Sequence, residues 1–126
     1  MATILVVDDE DIVRNMLVRF LIRHAHTVLA AKNGIEGLSV FQAHEGEIDL
    51  VITDVLMPEM SGPDLVYRLG LLPQKRPVRI VMMTGYSGGL LATEGRTTTR
   101  IIQKPFEMAD FLTIIADELN KLEGGA

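Results

Sequence analysis

The chain predicts a three-layer, doubly wound (βα)5 fold, in which a parallel five-stranded sheet lies between two layers of helices. Three observations carry this. Short apolar runs alternate with stretches of helical periodicity along almost the whole chain. The runs are continuous rather than alternating, as expected of strands buried on both faces. Four of them end in polar groups able to do chemistry, at the place where an open α/β sheet gathers its ligands.

Residues 3–7, containing Ile4-Leu5-Val6-Val7, read as the first strand. Residues 11–23 follow with apolar groups at helical spacing: Val13, Met16, Leu17, Phe20 and Leu21. Arg14, Asn15, Arg19 and Arg23 fall mostly on the opposite face. Thr27 to Ala31 is the second strand, and Asn33-Gly34 is read as a turn. Ile35 to His44 is the second helix, striped by Ile35, Leu38 and Phe41. Residues 49–53 form the third strand, which delivers Asp54. Pro63 suits the first turn of a third helix, where its missing N–H costs nothing. That helix runs to about Leu71, ahead of Pro73 and Pro77. Val78 to Met83 is the fourth strand and delivers Thr84.

From Gly85 to Thr99 the pattern weakens, because Gly85, Gly88, Gly89 and Gly95 oppose any helix; a short one is drawn near 88–95. Arg100 to Gln103 is the fifth strand, followed by Lys104-Pro105. Glu107 to Leu122 is the last helix, striped by Phe111, Ile114, Ile115 and Leu119. Residues 1–126 are expected to form one domain with its core over about 3–122, and 123–126 to fray. Right-handed crossovers and a flavodoxin-like strand order of 2-1-3-4-5 place the ligand crevice between strands 1 and 3. That order brings Asp8, Asp9 and Asp54 together.

Composition narrows the function. A net charge of −5, with no basic stripe, argues against a nucleic-acid surface. The absence of cysteine excludes a disulfide framework and a thiolate zinc site. No apolar stretch approaches the roughly 20 residues needed to span a bilayer. Met1-Ala2-Thr3 leads straight into a strand without a signal-peptide pattern, so cytoplasmic residence is expected. His24, His26 and His44 lack ligand spacing and read as surface or boundary residues.

Taken singly, each strand-end residue has a plain structural reading: an aspartate as a cap or turn former, Thr84 as a strand residue, Lys104-Pro105 as a loop. Together they form a constellation. Clustered carboxylates repel one another and need a cation or retained protons. Hard oxygen ligands suit Mg²⁺. A carboxylate can attack phosphorus to give an aspartyl phosphate, and Lys104 and Thr84 could then hold the phosphoryl oxygens.

At these residues the chain resembles the receiver domain of two-component response regulators, from Ile4 to about Leu119. The motifs are Val7-Asp8-Asp9-Glu10, Asp54 followed by Met57-Pro58 and Gly62, Thr84-Gly85, and Lys104-Pro105-Phe106. Thr84-Gly85-Tyr86-Ser87-Gly88 and Gln103-Lys104-Pro105-Phe106 look most like receivers of hybrid sensor histidine kinases. The resemblance implies Asp54 as phosphoacceptor and Thr84 as switch hydroxyl. It implies Lys104 as the phosphate-pairing lysine, preceding a cis peptide to Pro105. It implies Mg²⁺ held by Asp8 through water, by Asp9 and Asp54 directly, and by the Leu56 carbonyl. The implied donor is a phosphohistidine on a histidine kinase or phosphotransfer protein. The output is a changed face formed by the fourth helix, fifth strand and last helix. That face would bind a downstream protein, with a phosphorylation-dependent homodimer as one form of output. Such a domain is not an enzyme beyond its own phosphoryl transfer and dephosphorylation.

One position departs from the pattern. Ile101 stands where the family often has a switch aromatic, three residues before the lysine. Tyr86 is either its substitute or a residue lining the mouth of the site. Leu56 and Tyr86 flank the expected phosphoryl position, where bulk would hinder attacking water.

Three other readings compete. Haloacid-dehalogenase-like phosphatases need Asp-x-Asp-x-Thr on the first strand, and Asp8-Asp9-Glu10-Asp11-Ile12 breaks that spacing. A flavodoxin-like phosphate loop would be rich in Ser, Thr and Gly, whereas this one is acidic. A degenerate receiver that binds partners without phosphorylation would not need all five site residues.

Overall fold

The structure, a computed structural model, describes residues 2–73, 78–85 and 97–123. Strands β1 (Thr3–Val7), β2 (Thr27–Ala31), β3 (Leu50–Asp54), β4 (Val78–Thr84) and β5 (Thr97–Gln103) pair in parallel, in the order β2-β1-β3-β4-β5. Four helices are seen among the described residues: α1 (Asp11–Arg23), α2 (Gly34–Ala43), α3 (Gly62–Leu71) and α4 (Met108–Glu123). The doubly wound fold and its strand order are as the sequence predicts. The helix drawn near 88–95, Tyr86 and the tail 124–126 lie outside the described residues.

Side-chain alternation along the strands builds two cores from one sheet. Leu5, Val7, Val51, Ile80 and Met82 join Phe41 of α2 and Leu65, Val66 and Leu69 of α3. Ile4, Val6, Leu50, Ile52, Val81 and Met83 join Leu17 and Leu21 of α1 and Phe111 and Ile115 of α4. Each large aliphatic or aromatic group fully buried in this way contributes roughly 1.5–3 kcal/mol of transfer free energy.

Several boundaries move. The third strand starts at Leu50, not 49, and includes Asp54, while the fifth is longer and starts at Thr97. Asn33 is not a plain turn residue: its side chain accepts the Glu36 N–H at 2.8 Å and caps α2, which therefore starts at Gly34. Ser61 caps α3 in the same way through the Asp64 N–H, with Pro63 in the first turn as expected.

The predicted stripes pack against the two cores except at two positions. Met16 and Ile35 are exposed, whereas Leu17, Leu21 and Phe41 are buried. On α2 the face against the sheet is made partly by glycine. A Cβ on Gly37 would stand 3.0 Å from Val7 Cγ2, so the helix lies close enough to the sheet that a larger residue would need Val7 to shift by a few tenths of an ångström. Arg14 does not keep to the outer face either; its guanidinium folds back to donate to the Asp8 carbonyl at 2.8 Å.

Candidate functional site

Register decides which residues meet. Val7 pairs with Thr53, so Asp8 and Asp54, next along their strands, come level at the same sheet edge. Thr84 pairs with Gln103, which places Lys104 immediately beyond it. The Lys104 N–H extends that pairing by donating to the Thr84 carbonyl at 2.7 Å. The Lys104–Pro105 peptide is cis, as the resemblance implies.

Asp54 is almost fully buried. Its Oδ1 accepts the Val55 N–H at 2.8 Å, and its Oδ2 accepts from the Lys104 ammonium at 3.0 Å. The chain then leaves β3, turns sharply at Glu59 (φ 69°) and comes back to Asp54. The Met60 N–H reaches the Pro58 carbonyl at 2.7 Å across that turn. The Gly62 N–H donates to the Val55 carbonyl at 2.8 Å, which closes the loop. A Cβ on Gly62 would collide with the Asp54 carbonyl oxygen, so only glycine allows the return at this spacing.

Asp8 is fully buried, and its Oδ1 accepts the Glu10 N–H at 2.9 Å. Its Oδ2 has no hydrogen-bond partner among the described residues. Its carboxyl is pushed up to about 6, first by burial. The Glu10 N–H pulls the other way, and the Asp54 charge adds to the rise. For Lys104, burial alone would lower the ammonium. The hydrogen bond and charge of Asp54, then Asp8 and Glu10, outweigh burial and hold it above the ordinary lysine range. Thr84 is buried at the end of β4.

Carboxylate oxygens of Asp8, Glu10 and Asp54 lie within 4.8 Å of one another. An unpartnered buried oxygen beside two further carboxylates is a set that a hard divalent cation fits: all donors are oxygen, and its charge would remove their repulsion.

A sequence model described as "Response regulator receiver domain" matches residues 4–116. This chain belongs to the response regulator receiver domain family. It is 34% identical over 123 residues to the sensor kinase CckA of Brucella abortus, covering 95% of this chain and 13% of that protein. It is also 34% identical over 122 residues to the transcriptional regulator NtrC of Azospirillum brasilense, covering 94% of this chain and 24% of that protein. The chain thus spans a small part of these relatives. Among solved structures, the receiver domain of the hybrid histidine kinase CckA aligns over 94% of this chain and 99% of its own, with 32% identity and a TM-score of 0.73. The response regulator TrrA of Thermotoga maritima, in complex with Mg²⁺-BeF, aligns over 94% and 99%, with 29% identity and a TM-score of 0.77.

Within the receiver domain the predicted residues divide. Asp8, Asp54, Thr84 and Lys104 gather at the ends of β1, β3, β4 and β5. Asp9 and Glu10 are both exposed, and of the two only Glu10 belongs to the three-carboxylate group. Leu56 sits in the loop after β3 with its side chain exposed, and Ile101 is half-buried in β5. The sequence reading missed Glu10, whose carboxylate is in the group, and Arg14, which supports the Asp8 backbone. The signal for Glu10 was its residue type: glutamate is not a preferred N-cap. No helix among the described residues is long and apolar enough to cross a membrane.

Proposed function

We propose that this receiver domain accepts a phosphoryl group on Asp54 from a phosphohistidine of a histidine kinase or phosphotransfer protein. The observation that carries the reading is the Asp54 carboxylate held 3.0 Å from the Lys104 ammonium, beside the unpartnered Asp8 oxygen. In the reaction an Asp54 oxygen attacks phosphorus, a P–O bond forms, and the P–N bond breaks with its electron pair leaving on the imidazole. Lys104 releases its hold on the carboxylate and pairs with the phosphoryl oxygens. Thr84 turns its hydroxyl toward the same oxygens.

Asp8, Asp9 and Asp54, with the Leu56 carbonyl, are the residues that would hold Mg²⁺, which supplies positive charge against the carboxylates and the transferring group. Arg14 keeps the Asp8 backbone in place through its carbonyl, and the Val55 N–H fixes the rotamer of Asp54.

The output is a change in the face that includes β5 and α4, because Lys104 joins those two elements. The site then acts on a downstream protein target, with homodimerisation as one form of response. The chain works as one receiver unit over residues 1–126 in the cytoplasm. It carries out no chemistry beyond its own phosphorylation and dephosphorylation.

Incubation with Mg²⁺ and acetyl phosphate or phosphoramidate, read by intact mass, tests this. The expected result is a gain of one phosphoryl group, about 80 Da, that is absent in Asp54→Asn. Absence of any adduct, together with no capture of beryllofluoride, would overturn the reading in favour of a phosphorylation-independent binding module.

A further inference from the structure

Three of the four phenylalanines form one chain of contacts on the α1 and α4 side of the sheet. Phe106 stacks on Phe111, with ring centroids 5.4 Å apart and planes inclined by 17°. Phe111 is fully buried and meets Phe20 of α1 at 6.2 Å and 57°. Phe20 meets His24, just past the end of α1, at 4.5 Å and 41°. His24 Nδ1 also donates to the Phe20 carbonyl at 2.9 Å, so the imidazole stays with that residue. The fourth phenylalanine, Phe41, lies in the other core. Helix α1 starts beside the site, and its 13 residues carry the chain about 20 Å away from it. The ladder thus begins two residues after Lys104 and ends at the far edge of the sheet.

We propose that this ladder carries the phosphorylation state of Asp54 to the C-terminal end of α1, with Phe106 as the residue that reads the movement of Lys104. The proposal rests on the reading of Asp54 as phosphoacceptor. Lys104 then has two partners in turn: the bare carboxylate, which it holds at 3.0 Å, and the phosphoryl oxygens. On one side its backbone is tied by the N–H bond to the Thr84 carbonyl. On the other, residues 105–107 join it to α4, which begins at Met108. Pro105 and Glu107 are exposed, and Phe106 alone of the three is half-buried. A displacement of this link therefore enters the interior through the Phe106 ring. A stacked ring cannot slide without its partner following or losing contact, and a close-packed interior passes the shift to the next neighbour. Ile101 is aliphatic and half-buried in β5, so among the described residues the aromatic reader stands after the lysine rather than before it.

The test is carbon–proton correlation NMR of the histidine imidazoles in the full chain, with Mg²⁺ alone and with Mg²⁺ plus beryllofluoride or acetyl phosphate. His24→Gln assigns the His24 signal, and fluorine spectra or intact mass establish that the site is loaded. The ring current of Phe20 makes the His24 protons sensitive to where that ring lies. The expected result is that His24 shifts on loading, while His44, at the end of α2 in the other helix layer, does not. Phe106→Leu should load and lose most of the His24 shift. Phe41→Leu, a matched truncation in the other core, should keep it. Should Phe106→Leu fail to fold or to load, Phe111→Leu makes the same cut one ring further on and is judged by the same outcome. An unmoved His24 in loaded wild type, a shift of wild-type size in the ladder variant, or loss of the shift in Phe41→Leu would overturn the inference and leave the phosphoacceptor reading standing. A wild type that neither captures beryllofluoride nor gains phosphoryl mass would overturn both.

Discussion

Among the described residues, the receiver domain buries carboxylates in two places and treats them in opposite ways. At the C-terminal edge of the sheet, Asp8 is fully buried and its Oδ2 meets no donor among the described residues. On α4, Glu118 is equally buried, but it accepts from Arg79 at 2.9 Å, from Lys121 at 3.0 Å and from Arg100 at 3.4 Å. Arg79 enters near the start of β4, so the two clusters occupy opposite ends of the strands. The Asp8 carboxyl is pushed up to about 6. Burial would raise Glu118 too, yet the hydrogen bonds of Lys121 and Arg79 outweigh it and hold Glu118 below the ordinary glutamate range. Even there one donor, Arg79 Nε, lacks a partner among the described residues. The contrast teaches that buried charge alone does not mark a functional site. The informative cluster is the one whose counter-charge is not supplied by the fold.

If Glu118 is structural, removing it should be the costlier change. Glu118→Ala leaves the Arg79 guanidinium, 13% exposed, without its counter-ion. The expected loss is about 3 kcal/mol, read from urea midpoints. A loss below about 1 kcal/mol would break the comparison.

Asp8 should behave in the reverse sense. Its folded carboxyl titrates near 6 against 3.8 unfolded. Its stabilising share is thus fully present below pH 3.8 and is lost as pH rises through about 6. In chelator, the wild type should lose about 1.5 kcal/mol more than Asp8→Asn between pH 5 and pH 8. Saturating Mg²⁺ should abolish the difference. His26 titrates in the opposite direction, since burial holds its imidazole below 6.5 and its share is lost on acidification. Comparing variants rather than raw pH curves removes that contribution. Parallel pH curves for the two proteins would count against an isolated buried Asp8.

The smallest effect belongs to Lys121. Its side chain is 49% exposed, so its pair with Glu118 is screened by water. Lys121→Ala should cost under about 0.5 kcal/mol in the same urea assay. A cost rivalling that of Glu118→Ala would mean that Arg79 is not the main partner.

Much of this was legible in the sequence, and the reason is local. Asp8, Asp54, Thr84 and Lys104 each follow a continuous apolar run, and a parallel sheet brings such run ends to one edge. What stayed hidden depends on distance across the fold. Gly37 makes a close helix–sheet contact with no large apolar group, so a stripe read from Ile35, Leu38 and Phe41 passes over it. Glu118 falls between Ile115 and Leu119 and looks like a solvated residue until Arg79 arrives from another strand. Asp9 and Glu10 are neighbours of the same charge. Both are exposed, and only the folded chain shows that Glu10 is the one whose carboxylate lies within 4.8 Å of Asp8 and Asp54.

The clasp between Gly62 and Val55 has a consequence for how this domain can vary. The loop that leaves Asp54 comes back onto the same peptide group, and contact is possible only because position 62 carries no side chain. In genetic terms the position is a dead end: every one of the alternative amino acids brings the atom that collides. The neighbouring Ser61 is under no such constraint, because threonine, aspartate or asparagine would also cap α3. Drift in the loop is therefore channelled to the flanks of a residue that has no permissible substitute.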